Sequence, residues 1–437
     1  MSDPTIGFIA LGMIFVGVLT GYPMAFTLLF IALVAGLAGF GEQVFYLLTY
    51  QFFGLMRNTT LAAIPLFLFM GYVLEQSGLM DRLFRALRMM LGRLNGSLYL
   101  IVLIVAVIMA AATGIVGASI TVLGVMAAPI MQKCGYPTRM SAGTLAAGGT
   151  LGILIPPSIM LIVMGPVVGV PVADLFTAAI IPGLLLGGVY VAYTLFRSWL
   201  NPALGPPMTD DEVASTSMSH KLYELAVGVL PVLVIIGFTL GVIIFGIATP
   251  TDAAATGAFA SFLLALGYRR LTWAKFRLCA HRTLEATAFI LFLLAAANFF
   301  GAVFAKLGSA QVLTEYLASL PLGPVLMLIV MLAIVFVLGS PLEWIPIVLV
   351  VVPIFLPTVE TMGFDPLWFS ILVAVTLQTS WLTPPMALAS YFLKGVVPNW
   401  SMGDIYIGML QFVVLQLVVV GLLIAFPQLV LWLPAQT

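Results

Sequence analysis

The sequence predicts an all-α polytopic membrane protein built from two inverted repeats, each holding a re-entrant helical hairpin and a discontinuous helix. Three observations predict it. Of 437 residues, 62% are hydrophobic and 7% charged, with a mean hydropathy of +1.21, more apolar sequence than a soluble core absorbs. Two uncharged or nearly uncharged stretches, 97–131 and about 322–357, are too long for one straight crossing of a core about 30 Å thick and too short for two. Structure-breaking residues also recur at an offset of 228: Pro129 with Pro357, Gly135-Tyr136 with Gly363-Phe364, and Leu154, Pro156 and Pro157 with Leu382, Pro384 and Pro385. At 227, Pro23 meets Pro250, and such self-similarity marks duplication.

Composition also excludes several chemistries. Net charge is zero and no basic tract exists, so nucleic-acid binding has no electrostatic basis. Cys134, Cys279, His220 and His281 are not at metal-ligand spacing, which argues against zinc or haem. No G-x-S-x-G elbow, Walker-type phosphate loop or H-E-x-x-H occurs. An enzyme is not expected, and without a nucleotide site the driving force must be an ion gradient. The N-terminus, MSDPTIGFIALGMIF, has neither a basic n-region nor an A-x-A site and reads as a first span, not a signal peptide.

The first repeat is placed at 1–200. Its scaffold helices occupy 1–78: apolar runs at 5–20 and 22–41 divided by Gly21-Tyr22-Pro23, a short aromatic-rich interfacial segment at 43–57, and a span at 59–78. An arm helix follows at 79–94, with Leu79, Leu83, Leu87, Met90 and Leu94 opposite Arg82, Arg85 and Arg88. This pattern describes an amphipathic helix on the membrane surface; a soluble-loop helix is the alternative. The hairpin at 97–133 has a centre, 112–119, rich in small residues with two glycines that tolerate non-helical backbone. Its flanks, Arg93 and Lys133, mark both ends as cytoplasmic. The alternative is one long kinked span. A broken helix at 140–169 is interrupted at Gly148-Gly149-Thr150-Leu151-Gly152 and at Pro156-Pro157, and a span at 173–196 closes the repeat.

Residues 201–221 form a polar cytoplasmic linker. The second repeat, 222–437, runs in the same order. Scaffold helices fill 222–306 (spans at 222–246, 251–268 and 284–305), with an arm helix at 309–320. A periplasm-entering hairpin at 322–357 is broken near Gly339-Ser340-Pro341. The broken helix at 367–394 and a last helix at 403–430 follow. With the N-terminus outside and both overlong stretches folded as hairpins, nearly every Lys and Arg falls on the cytoplasmic side, leaving only Arg57 and Lys306 outside. Each half then crosses an odd number of times, so the second repeat enters inverted, as in inverted-repeat transporters.

A hairpin tip within a bilayer leaves main-chain groups without helical partners, tolerable only where protein or a wet cavity surrounds it. The candidate ion site therefore has two clusters. The first tip (Thr113, Gly114, Gly117, Ser119) faces Gly149, Thr150, Leu151 and Gly152; the second (Gly339, Ser340, Pro341, Glu343) faces Gln378, Thr379, Ser380 and Thr383. Hydroxyl and carbonyl oxygens suit hard cations. Two or more Na⁺ ions are expected, because the first cluster has no carboxylate or histidine to carry a proton; no organic cofactor is expected. Glu343 is the one ionisable residue in the middle of an apolar stretch, hence a functional candidate; a locally paired tip glutamate is the alternative. Glu75, at the end of a span, reads as structural. Ser158 begins a half-helix whose positive end suits a substrate carboxylate. Gly117 and the proline pairs Pro156-Pro157 and Pro384-Pro385 complete the expected substrate side.

Four segments, AATGIVGASITVLG, AAGGTLGILIPPS, GIATPTDAAATGAF and LQTSWLTPPMALASYFLKG, resemble signatures of the large membrane subunit of tripartite ATP-independent periplasmic (TRAP) transporters, and the resemblance covers essentially the whole chain. It implies an elevator-type, Na⁺-coupled importer of a small organic acid in the bacterial inner membrane, with both termini periplasmic. It also implies two partners, a small membrane subunit of about four helices and a periplasmic substrate-binding protein. Because this chain opens on its first large-subunit span, the small subunit is expected as a separate polypeptide. The family's acidic second-hairpin position, often Asp, falls on Glu343, a longer side chain. The QTSWLTPP variant resembles members handling keto acids or other monocarboxylates more than sialic-acid members. A stand-alone ion-coupled carboxylate transporter is the alternative within the class; a channel or a membrane-embedded enzyme would belong to another.

Overall fold

The computed structural model describes residues 3–208, 218–342, 344–384 and 387–436. Glu343 and Pro385, and the middle of the expected linker, lie outside the described residues. Among the described residues there are helices and no strand. Seven segments of the described residues are long and apolar enough to cross a membrane, among them Val172–Leu200, Lys221–Ile244 and Met402–Ala425. In hydrocarbon every backbone polar group must be bonded within the protein, and a helix does so within a single segment.

Helix starts follow from local chemistry. Asp3 accepts the Thr5 amide at 2.9 Å ahead of Pro4–Leu19, and Pro4 sits where no donor is needed. Thr249 receives the Asp252 amide at 3.2 Å ahead of Pro250–Gly267 in the same way. Pro250–Gly267 packs on Ala63–Gln76, and Met24–Phe40 packs on both Pro4–Leu19 and Trp273–Lys306. Together they form a scaffold around the hairpins.

Two expectations need correction. The span expected at 284–305 is the end of one continuous 34-residue helix, Trp273–Lys306, about 50 Å long at 1.5 Å per residue. Lys275, Arg277, His281 and Arg282 interrupt the hydropathy there, but charge does not end a helix, and Thr272 caps its true start. The amphipathic arm forms at Leu79–Leu91, but the first three leucines of its stripe face protein, while Met90 and Leu94 stay exposed. Leu79, Leu83 and Leu87 are buried against Ser97–Thr113 and Met218–Ile236. An apolar stripe records that something covers it, without recording whether lipid or protein does.

The re-entrant hairpins are present. Ser97–Thr113 stops at Gly114, whose φ of +61° is left-handed, and Ile115 is extended before Val116–Lys133 begins. Two residues thus make the first turn, fewer than the small-residue stretch suggested. The second hairpin pairs Pro324–Gly339 with Trp344–Thr361, the latter containing a π-helical turn at Ile347–Val351. Each discontinuous helix is split in turn: Thr138–Thr150 from Ile159–Val168, and Pro366–Ser380 from Leu388–Val396. Nearly all of 140–164 and all of 368–380 are buried, so these helices form the centre of the molecule.

Candidate functional site

The first tip rests on the first break. A side chain at Gly114 would press on the Pro157 carbonyl, and Gly152 lies across from Gly114 and Ile115, with a Cβ 3.7 Å from their backbone atoms. Gly149 gives way to Ile120, whose amide would be 3.0 Å from its Cβ. These glycines allow backbone to approach backbone, which exposes main-chain oxygens at the break. The Thr113 and Ser119 hydroxyls stand 3.4 Å apart across the turn, and Thr113 donates to the Met109 carbonyl at 2.9 Å.

The second tip repeats the contact. A Cβ at Gly339 would meet the Ser380 Cβ at 3.0 Å, and Ser340 donates to the Pro384 carbonyl at 2.8 Å. A cavity of about 90 Å³ lies between them, walled by Gly339, Ser340, Ser380 and Trp381. The Thr379, Ser380 and Thr383 hydroxyls donate to carbonyls one turn back, so their oxygen lone pairs remain available to accept.

The two breaks are tied together. Gln378 Nε2 donates to Thr150 Oγ1 at 3.2 Å, while Gln378 Oε1 is buried with no hydrogen-bond partner. Apart from the Gln378 amide nitrogen, the polar side-chain atoms of these two clusters are oxygens, the set preferred by hard cations. Among the described residues no group of three or more His, Cys, Asp or Glu could hold a metal ion.

Beside this centre opens a cavity of about 740 Å³. One wall comes from the first tip (Gly114 to Ala118), from Ser158, Ile159 and Met160, and from Trp344, Trp381 and Phe392. The opposite wall is scaffold: Tyr72 and Glu75 on one helix, Arg282, Glu285 and Phe289 on another. Ser158 is extended and donates its hydroxyl back to the Ile153 carbonyl, so it does not cap Ile159–Val168. The first amides of that ten-residue helix, and those of Leu388–Val396, also uncapped by a side chain, start at this cavity, where the positive helix end favours anions.

Of the residues expected to meet substrate, Ser158 and Gly117 line the cavity, with Gly117 packed against the Phe392 ring. Pro156, Pro157 and Pro384 shape the breaks and are not on its wall; Pro385 and Glu343 lie outside the described residues. Sequence position alone gives Glu75 a structural role and makes Arg282 a marker of topology. In the folded chain Arg282 meets Glu75 at 3.4 Å across 207 residues, and both face the cavity. The available signal is an ionisable residue at the end of an apolar run in each of two helices.

Two hairpin tips packed against two broken helices, with helix N-termini opening on a cavity, define an inverted-repeat membrane transport protein. The family described as tripartite ATP-independent periplasmic transporter, DctM component, matches residues 11–429. The chain is 28% identical to the sialic acid TRAP transporter large permease protein SiaM of Vibrio cholerae, over 97% of this chain and 96% of that one. It is 30% identical to the C4-dicarboxylate large permease protein DctM of Pseudomonas aeruginosa, over 89% of each. It is 28% identical to the 2,3-diketo-L-gulonate large permease protein YiaN of Escherichia coli, over 96% of each. Among solved structures, the YdaH transporter of Alcanivorax borkumensis superimposes with a TM-score of 0.63 at 17% identity, over 88% of each chain, a likeness of fold. The chain belongs to the DctM-component family: it is a TRAP-transporter large permease subunit, a multi-pass membrane protein.

Proposed function

We propose that this subunit imports a small organic acid across the bacterial inner membrane, coupled to two or more Na⁺ ions, by an elevator movement of the hairpin and broken-helix body against the scaffold. It takes its substrate from a periplasmic binding protein and is seated on a small membrane subunit, with both termini periplasmic. The observation that carries this reading is the 740 Å³ cavity, on which the first tip and the uncapped starts of Ile159–Val168 and Leu388–Val396 converge. Helix N-termini favour a carboxylate, and the hydroxyl and carbonyl oxygens of the clusters behind them suit Na⁺. The substrates named for its relatives, sialic acid, C4-dicarboxylates and 2,3-diketo-L-gulonate, support an organic acid as the class.

The test is uptake into proteoliposomes containing this chain with its small subunit. Transport of the acid held by the cognate binding protein is expected to require both an inward Na⁺ gradient and that binding protein. Uptake unchanged when Na⁺ is replaced by K⁺ overturns the coupling. Uptake unchanged without the binding protein favours the stand-alone carboxylate transporter.

A further inference from the structure

A further pocket, of about 440 Å³, lies apart from the 740 Å³ cavity, where the arm helix Leu79–Leu91 meets the two helices that open the second repeat. Among the described residues, four arginines line it, Arg82, Arg85, Arg88 and Arg270, with one carboxylate, Glu224. Arg82 is committed to that carboxylate through a two-pronged contact at 3.0 Å on each arm. Arg85 gives Nε to the Asp81 carbonyl at 3.4 Å, and neither Arg85 nor Arg270 makes an ion pair among the described residues.

The pocket is built, not incidental. The Arg82–Glu224 fork joins positions 142 residues apart. The Tyr268 hydroxyl donates to the Val227 carbonyl at 3.0 Å, fastening the turn that carries Arg270 to the Glu224 helix. Within that turn Arg269 is held at φ +53°, a left-handed conformation that costs a side-chain-bearing residue about 1–2 kcal/mol. The two helices bordering the pocket expose Leu222, Tyr223, Leu263 and Leu266 to their surroundings. In a membrane protein such a surface suits acyl chains or a neighbouring membrane subunit.

We propose that this pocket binds the phosphate group of an anionic phospholipid, with Arg85 and Arg270 as its contacts and the neighbouring leucines against the acyl chains. Guanidinium groups give charge-assisted bonds to phosphate oxygens, and basic pockets between membrane helices take anionic headgroups. The apolar border is what favours a lipid over free phosphate. The site joins the arm of the first repeat to the start of the second, and its occupant bridges the two halves.

The test uses the purified complex of this chain with its small subunit in a neutral detergent. Titration with phosphatidylglycerol, read by native mass spectrometry, is expected to saturate, while phosphatidylcholine leaves no specific adduct. An Arg85→Gln/Arg270→Gln variant is expected to bind phosphatidylglycerol about thirtyfold more weakly, with Arg85→Lys/Arg270→Lys retaining most of the affinity. Lipid-free thermal unfolding, unchanged in both variants, guards against misfolding. Undiminished phosphatidylglycerol binding in the Gln variant, or equal retention of phosphatidylcholine, overturns the proposal. Full competition by millimolar inorganic phosphate moves the site to a free anion and overturns the lipid assignment.

Discussion

Gln378 and Thr150 stand 228 positions apart and share a hydrogen bond of 3.2 Å. That separation is the same offset that relates the proline pairs of the two halves, so the bond joins equivalent positions across the repeat. The carbonyl end of Gln378 is left buried and unpartnered, a state that costs about 1–3 kcal/mol unless a ligand satisfies it. Under the Na⁺-coupled reading that oxygen faces the ion path. Gln378→Ala is then expected to raise the Na⁺ concentration for half-maximal uptake about tenfold while leaving the thermal midpoint in detergent close to wild type. An unaltered Na⁺ dependence removes Gln378 from ion binding. The hydroxyls at Thr113, Ser119, Thr150 and Thr379 are legible in the sequence because few polar groups interrupt such apolar runs. The pairing of Glu75 with Arg282 is not, because a contact between residues 207 apart leaves no local trace.

The first hairpin shows what an element owes to one backbone angle. Gly114 turns the chain with φ +61° and lies under the Pro157 carbonyl. Alanine there costs about 1–2 kcal/mol for the left-handed angle alone, and its methyl group would collide with backbone that has no rotamer to change. Gly114→Ala is therefore expected to abolish most uptake while lowering the thermal midpoint only modestly, because the hairpin arms stay packed. Uptake at the wild-type rate would show that the tip does not need its contact with the break. Apolar length and glycine content mark this hairpin in the sequence itself. The arm helix is less legible: its period of leucines is plain, but the partner burying it, Met218–Ile236, begins more than a hundred residues later.

At the scale of the molecule, the 740 Å³ cavity separates the hairpin and broken-helix body from the scaffold. An elevator movement requires these two walls to slide past one another. After Cys134 and Cys279, neither of them in a disulfide, are replaced by serine, cysteines placed at Ala118 and Ala286 would stand on opposite walls. A bifunctional maleimide joining them is expected to stop uptake, whereas labelling each site singly with a monofunctional reagent of the same size is expected to leave part of it. Full uptake by the cross-linked protein excludes relative movement of the two walls.

The residue order alone determined that this chain lives in a bilayer, that its two halves are copies, and where each copy must break. Those properties follow from apolar run length, glycine and proline, which act within a few residues of themselves. Only the tertiary structure decided which breaks meet, that Thr150 and Gln378 bond at the centre, and that the arm's leucines lie against protein. It alone also brought Arg85 and Arg270 to one pocket. Each of these is a contact between distant positions, and the free energy of such a contact depends on how surfaces pack, which no local pattern encodes.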